Sequence, residues 1–178
     1  MDHDETNESL FYLLGNCLEY PTTDTRSVFE DMERQILAIS NMAAFHFQEF
    51  AANINKMTFT GWQEYYVKTF DVTPQCGLYI SVHLFGEENY KRAELMTGLK
   101  TVYEKTSPYE MTELPDHLAV ILKQRALFSE EEWTELAAMC LKPVVPKISA
   151  LLEKNNNPYA FLLKTIHELL VKMEKVYA

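Results

Sequence analysis

Apolar residues recur at helical spacing along nearly the whole chain. Leu10, Leu13, Leu14, Cys17 and Leu18 share one face of a first predicted helix, which the Tyr20-Pro21 step ends. Phe29, Met32, Ile36 and Ile39 mark a second helix, and Phe47, Phe50, Ala51 and Ile54 a third. Trp62, Tyr65, Tyr66, Thr69 and Phe70 mark a fourth, ending before Asp71-Val72-Thr73-Pro74. A short helix is predicted from Gly77 to Leu84, stopped at Gly86, and another from about Tyr90 to Lys105. Later starts are written in capping chemistry. Pro115 fits a first helical position, where its missing N–H is no loss, with Asp116 in the first turn. Ser129 and Glu132 have capping-box spacing, and Pro143 and Pro146 predict a break or kink before Ile148, Leu151 and Leu152. Asn157-Pro158 opens a last helix with core face Tyr159, Leu162, Leu163, Ile166, Leu169, Leu170, Met173 and Tyr177. No stretch alternates as a strand would. The pattern predicts an all-α, multi-helix bundle of about eight to ten helices in one domain, residues 1–178. Its N-terminal half is about 1–105, its C-terminal half about 115–178, and a polar hinge of about 106–114 containing Ser107-Pro108 joins them.

Composition agrees with that class and removes others. Apolar residues make up 47% and aromatics 12%, enough for a core, while 5 Gly and 7 Pro are too few for a turn-dense β-sandwich. The formal charge of -10 disfavours nucleic acid and anionic lipid as partners and favours cationic ones. Cys17, Cys76 and Cys140 are far apart and odd in number, and read as small buried hydrophobes in a reducing compartment. The start, Met1-Asp2-His3-Asp4-Glu5, is acidic where a signal peptide is basic, and the longest apolar runs are far shorter than a membrane span. A cytoplasmic protein without membrane insertion is expected.

Chemical constellations are sparse. His83, His117 and His167 fall on separate helices without a paired-carboxylate or HExxH pattern, so neither metal nor cofactor is expected. Gly86 precedes Glu87 and Glu88, which a phosphate would avoid. Glu113 and Asp116 read either as an acid–base pair or as acids offsetting the unpaired N–H groups of a helix start. Trp62, Tyr65, Tyr66, Phe70, Tyr79 and Phe85 read as core aromatics or as the lining of a peptide groove. From the residues alone, a helical interaction module and a small acid–base enzyme using Glu113, Asp116 and His117 both stay open. The enzyme would need those groups around a deep, enclosed pocket.

Three ordered stretches go further: Tyr65–Pro74, then Leu78–Gly86 followed by Arg92, then Glu113-Leu114-Pro115-Asp116-His117-Leu118. Across roughly residues 60 to 125 their order and spacing resemble the NarJ/TorD/DmsD family, the nitrate reductase delta-subunit-like chaperones. The resemblance implies an all-α protein without enzymatic activity. It would bind the N-terminal segment of an apo molybdoenzyme catalytic subunit, a twin-arginine signal peptide or its remnant, until the molybdenum cofactor is inserted. Molybdenum-cofactor biosynthesis proteins are the further implied partners. Asp116 and His117 match the family's Pro-Asp-His positions, associated with signal-peptide recognition, and Tyr79, His83 and Asp71 match neighbouring motif positions. The implied peptide site comprises Asp116, His117, Glu113, Pro115, Tyr79, His83, Asp71, Phe85 and Leu118, with Asp116 at the lip of an acidic groove. Two departures stand out: Leu122-Lys123-Gln124 follows the third stretch where Leu-Glu-Phe is usual, and Arg92-Ala93 replaces an Arg-Gly pair.

Overall fold

A computed structural model describes residues 3–72, 77–87, 89–105 and 113–173, with side chains from Ser9 onward. It contains eleven α-helical segments among the described residues, α1 (His3–Cys17) to α11 (Tyr159–Lys172), and no strand. The all-helical expectation holds. Contacts sort the chain into two compact units, each assembled from two stretches: Met1–Leu18 with Leu78–Val144, and Glu19–Gly77 with Val145–Ala178. The expected hinge at 106–114 falls within the first unit's sequence, and its residues 106–112 lie outside the described ones.

The first unit contains α1, α6 (Ile80–Phe85), α7 (Tyr90–Tyr103), α8 (Leu118–Lys123) and α9 (Glu130–Leu136). Leu10, Phe11, Leu14, Cys17 and Leu18 of the α1 stretch are buried, close to the predicted face. All five residues Leu118–Leu122 are buried, so α8 is apolar all round, as a helix enclosed in a core must be. Gly15 makes the α1–α8 crossing possible: a Cβ there would lie 2.8 Å from the Ala119 carbonyl oxygen. The Ser129 hydroxyl accepts from Glu132 N–H and the Glu132 carboxylate accepts from Ser129 N–H, the predicted capping box. Beyond α9 the helix runs on through a π-turn, Ala137–Leu141, into α10 (Lys142–Glu153). No break occurs at Pro143 or Pro146, and that part of the expectation is corrected. Both prolines lie inside this continuous helical run, and Pro146 forfeits the bond its N–H would make to the Lys142 carbonyl.

The second unit contains α2 (Thr23–Ser27), α3 (Phe29–Ile39), α4 (Asn41–Asn55), α5 (Phe59–Tyr66), the remainder of α10, and α11. α11 packs on α4 and α3 around Phe29, Phe47, Phe50, Trp62 and Tyr159, whose rings meet at tilted or edge-on angles. Trp62 Nε1–H donates to the Tyr159 hydroxyl at 2.9 Å, which satisfies the polar atom that its burial would otherwise orphan. Within the aromatic run, Trp62 and Tyr66 are core, while Tyr65 and Phe70 are half-buried. Instead of stopping before Asp71, α5 widens into a π-turn, Val67–Asp71. Asn157 starts α11 as expected, accepting from Tyr159 N–H, while its side-chain NH2 donates to Thr69. Tyr177 lies outside the described residues.

Candidate functional site

Two of the three stretches meet in the first unit. Residues 78–80 run antiparallel to 116–118: Ile80 N–H donates to the Asp116 carbonyl at 3.0 Å, and Leu118 N–H donates to the Leu78 carbonyl at 2.8 Å. Ile80 opens α6 and Leu118 opens α8. Each bond therefore satisfies one of the N–H groups that a helix start leaves unpaired, and the two helices cap one another through backbone. Before α8 the chain makes a four-residue turn closed by His117 N–H on the Leu114 carbonyl, 3.0 Å, with Pro115 at its second position. Proline's fixed φ suits that position. The predicted helix start at Pro115 is corrected: α8 begins at Leu118, because Leu78 across the bridge takes up its first N–H.

Asp116 has no exposed surface. One carboxylate oxygen accepts from both the N–H and the hydroxyl of Ser81, and the Ser81 hydroxyl accepts from Arg92 Nε at 3.0 Å. Ser81 is the second residue of α6, so Asp116 caps a helix from outside it. Negative charge beside helix N–H groups is the favourable arrangement. The other carboxylate oxygen is buried and has no hydrogen-bond partner among the described residues. Pro115 is also buried, its carbonyl accepting from the Tyr103 hydroxyl at 2.9 Å, and Leu118 is wholly in the core.

The groups that reach the surface are different ones. Glu113 is exposed and accepts from the Tyr79 hydroxyl at 2.8 Å. Tyr79 is half-buried and stands edge-on to His117, ring centroids 5.2 Å apart, while His117 itself is nearly covered. Leu114 is 45% exposed, and His83 and Phe85 are half-buried on α6. Asp71 belongs to the second unit, where it is exposed at the end of the π-turn. Glu113 and Asp116 cannot act together as an acid–base pair on one substrate here, since one is at the surface and the other is sealed beneath it.

The profile of the nitrate reductase delta subunit family matches residues 35–164. The chain belongs to that family. It is also 31% identical, over 172 residues, to the probable nitrate reductase molybdenum cofactor assembly chaperone NarJ of Bacillus subtilis (strain 168). That alignment covers 93% of this chain and 89% of the relative. The delta-subunit match takes in α4 to α10 whole, and with them the clasp between residues 78–81 and 113–118. What sequence reasoning missed in that clasp is Ser81, the residue Asp116 holds. A single serine flanked by Ile80 and Val82 carries no periodic or motif signal; only the tertiary pairing gives it a partner. No helix among the described residues is long and apolar enough to cross a membrane.

Proposed function

We propose that this delta-subunit family member is an assembly chaperone for a molybdenum-containing redox enzyme, holding the catalytic subunit before its cofactor is inserted. The observation that carries this reading is the alignment over nearly the full length of both chains with a relative named for that role. We further propose that the N-terminal segment of the client, of twin-arginine type or its remnant, lies over Tyr79, Glu113 and Leu114, with His83 and Phe85 beside them. Glu113 is the accessible carboxylate of this group and suits a client arginine, which pairs with carboxylates through a planar fork of donors. Leu114, Phe85 and the Tyr79 ring offer apolar surface to the segment's hydrophobic part. Asp116, His117, Pro115 and Leu118 then act from beneath by fixing the shape of the turn. Asp71, in the other unit, is proposed as a separate point of client contact.

The role is tested by deleting the gene and measuring molybdenum content and activity of the host's molybdoenzymes. Loss from one enzyme, restored by the intact chain, is expected; unchanged content in all of them would sink the role. The contact surface is tested by calorimetry with the N-terminal peptide of the affected catalytic subunit. Glu113→Gln should weaken binding without altering the melting temperature, and unchanged affinity would remove Glu113 from the site.

A further inference from the structure

α7 has an unfinished apolar face. Leu99 and Tyr103 turn into the core, while Leu95 and Val102 stay half-exposed along a groove of about 430 Å³ between α7 and the α9–π-turn run. Leu136, Met139 and Cys140 line the opposite wall, and Met139 is 69% exposed. A methionine side chain is flexible and polarizable, which suits it to cover an arriving apolar surface. Gly98 lies in this groove, in the interior of α7. Glycine weakens a helix interior, and a Cβ at Gly98 would meet nothing within 4 Å among the described residues, so none of those requires it. Its bare backbone leaves room for something else to come close.

The charge around the groove states what that is. Its ionisable lining residues apart from Cys140 are Glu94, Glu132 and Glu135. Glu132 is taken up by Lys105 and by the capping box. Glu94 and Glu135 are exposed and have no ion-pair partner among the described residues. We infer that this groove seats a short amphipathic helix of a partner protein, apolar along one stripe and carrying lysine or arginine along its edges. The apolar stripe covers Leu95, Val102 and Met139 and passes over Gly98, and the cations meet Glu94 and Glu135. This docking surface does not depend on the assembly role proposed above, and its failure would leave that role standing.

Cys140 provides the reporter. In a Cys76→Ser background Cys17 is shielded from alkylation by complete burial, which also pushes its thiol up to about 12. The Cys140 thiol is raised too, by burial and then by Glu135, but it is only partly covered, and its labelling is compared with and without peptide within each variant. The probe is a synthetic helical peptide with leucines at i, i+3, i+4 and i+7 and lysines between, alongside a counterpart with glutamates in place of lysines. The lysine peptide should bind saturably and slow iodoacetamide labelling of Cys140 by about fivefold or more at saturation, by covering the groove. Glu94→Lys with Glu135→Lys should weaken that binding by roughly tenfold. Gly98→Leu, which fills the open space, should abolish protection while the melting temperature holds or rises. Undiminished protection in Gly98→Leu, equal binding of the glutamate peptide, or binding that leaves Cys140 labelling unchanged would each overturn the inference. So would self-association that protects Cys140 without peptide, which would give the face to a second copy of the chain.

Discussion

Replacing Asp116 by alanine should lower stability before it says anything about ligand binding. The carboxylate accepts two hydrogen bonds from Ser81, and Ser81 is itself fully buried. Removing the acceptor strands an N–H in the first turn of α6 and weakens the hold on a hydroxyl that also receives Arg92. A lost cap costs about 1 kcal/mol and a stranded buried donor about 1–3 kcal/mol. Against this, the variant no longer buries a charge with one unpartnered oxygen. With that offset the net expectation is a loss of about 1–3 kcal/mol, or roughly 2–12 °C in melting temperature for a chain of this size. Thermal unfolding followed by circular dichroism measures it. Asp116→Asn keeps an oxygen for the Ser81 donors and should lose less than half as much, with Ser81→Ala in between. An alanine variant that melts with the parent would refute the supporting role. So would an asparagine variant of parental stability that no longer binds a client peptide, because the missing charge would then have been touching the client.

Three further outcomes follow from packing and capping. Gly15→Val should destabilise by about 1–3 kcal/mol in urea titration, since its Cβ would press on the Ala119 carbonyl oxygen at 2.8 Å; an unchanged midpoint would mean α1 and α8 separate easily. Trp62→Phe loses the Nε1–H bond to Tyr159 and the stacking of Arg26, 5.2 Å from the ring centroid, and should cost about 1–3 kcal/mol. The Lys105 ammonium, then the Ser129 N–H, hold the Glu132 carboxyl below its ordinary value. A depressed carboxyl stabilises the fold fully above the ordinary value of 4.5, and that contribution disappears as pH falls through the lower folded value. Between 4.5 and the lower folded value, stability should therefore drop less steeply with falling pH in Glu132→Gln, and identical acid limbs would contradict the assignment.

Helix faces were legible because burial repeats along a local period. Phe47, Phe50, Ala51 and Ile54 line up in sequence as they do in the core; in α1 Phe11 is buried in place of Leu13, and in α11 Ala160 and Thr165 join the buried face while Met173 is only half-buried. Punctuation was legible where it is local, as at Ser129–Glu132 and Asn157, and ambiguous where a partner decides it. A proline followed by an acid reads equally as a helix start or as the middle of a turn, and the bond from Leu118 to Leu78 selects the turn. Pro146 reads as a breaker, yet α10 carries it in its interior without stopping. The motif stretches located the clasp in sequence. They did not separate residues at its surface from residues beneath, since exposure depends on the 78–81 stretch lying across the turn. Glu113 and Asp116, three positions apart, end on opposite sides of that division.

That division also bears on how a holding protein lets go. A client arginine paired with a buried Asp116 would make a strong, slowly broken contact, and removing either partner would cost several kcal/mol. Pairing with exposed Glu113 is of another kind, because surface ion pairs contribute about 0–1 kcal/mol and are screened by salt. If the proposed surface is the client site, most of the affinity would then come from apolar contact with Leu114, Phe85 and the Tyr79 ring. On the proposed reading, the charge of -10 would act chiefly on the rate of encounter with a cationic leader. Stopped-flow binding should accordingly show association slowing with added salt while dissociation changes little. Dissociation that accelerates steeply with salt would point instead to a desolvated ion pair, and would return Asp116, with its unpartnered oxygen, to direct contact with the client.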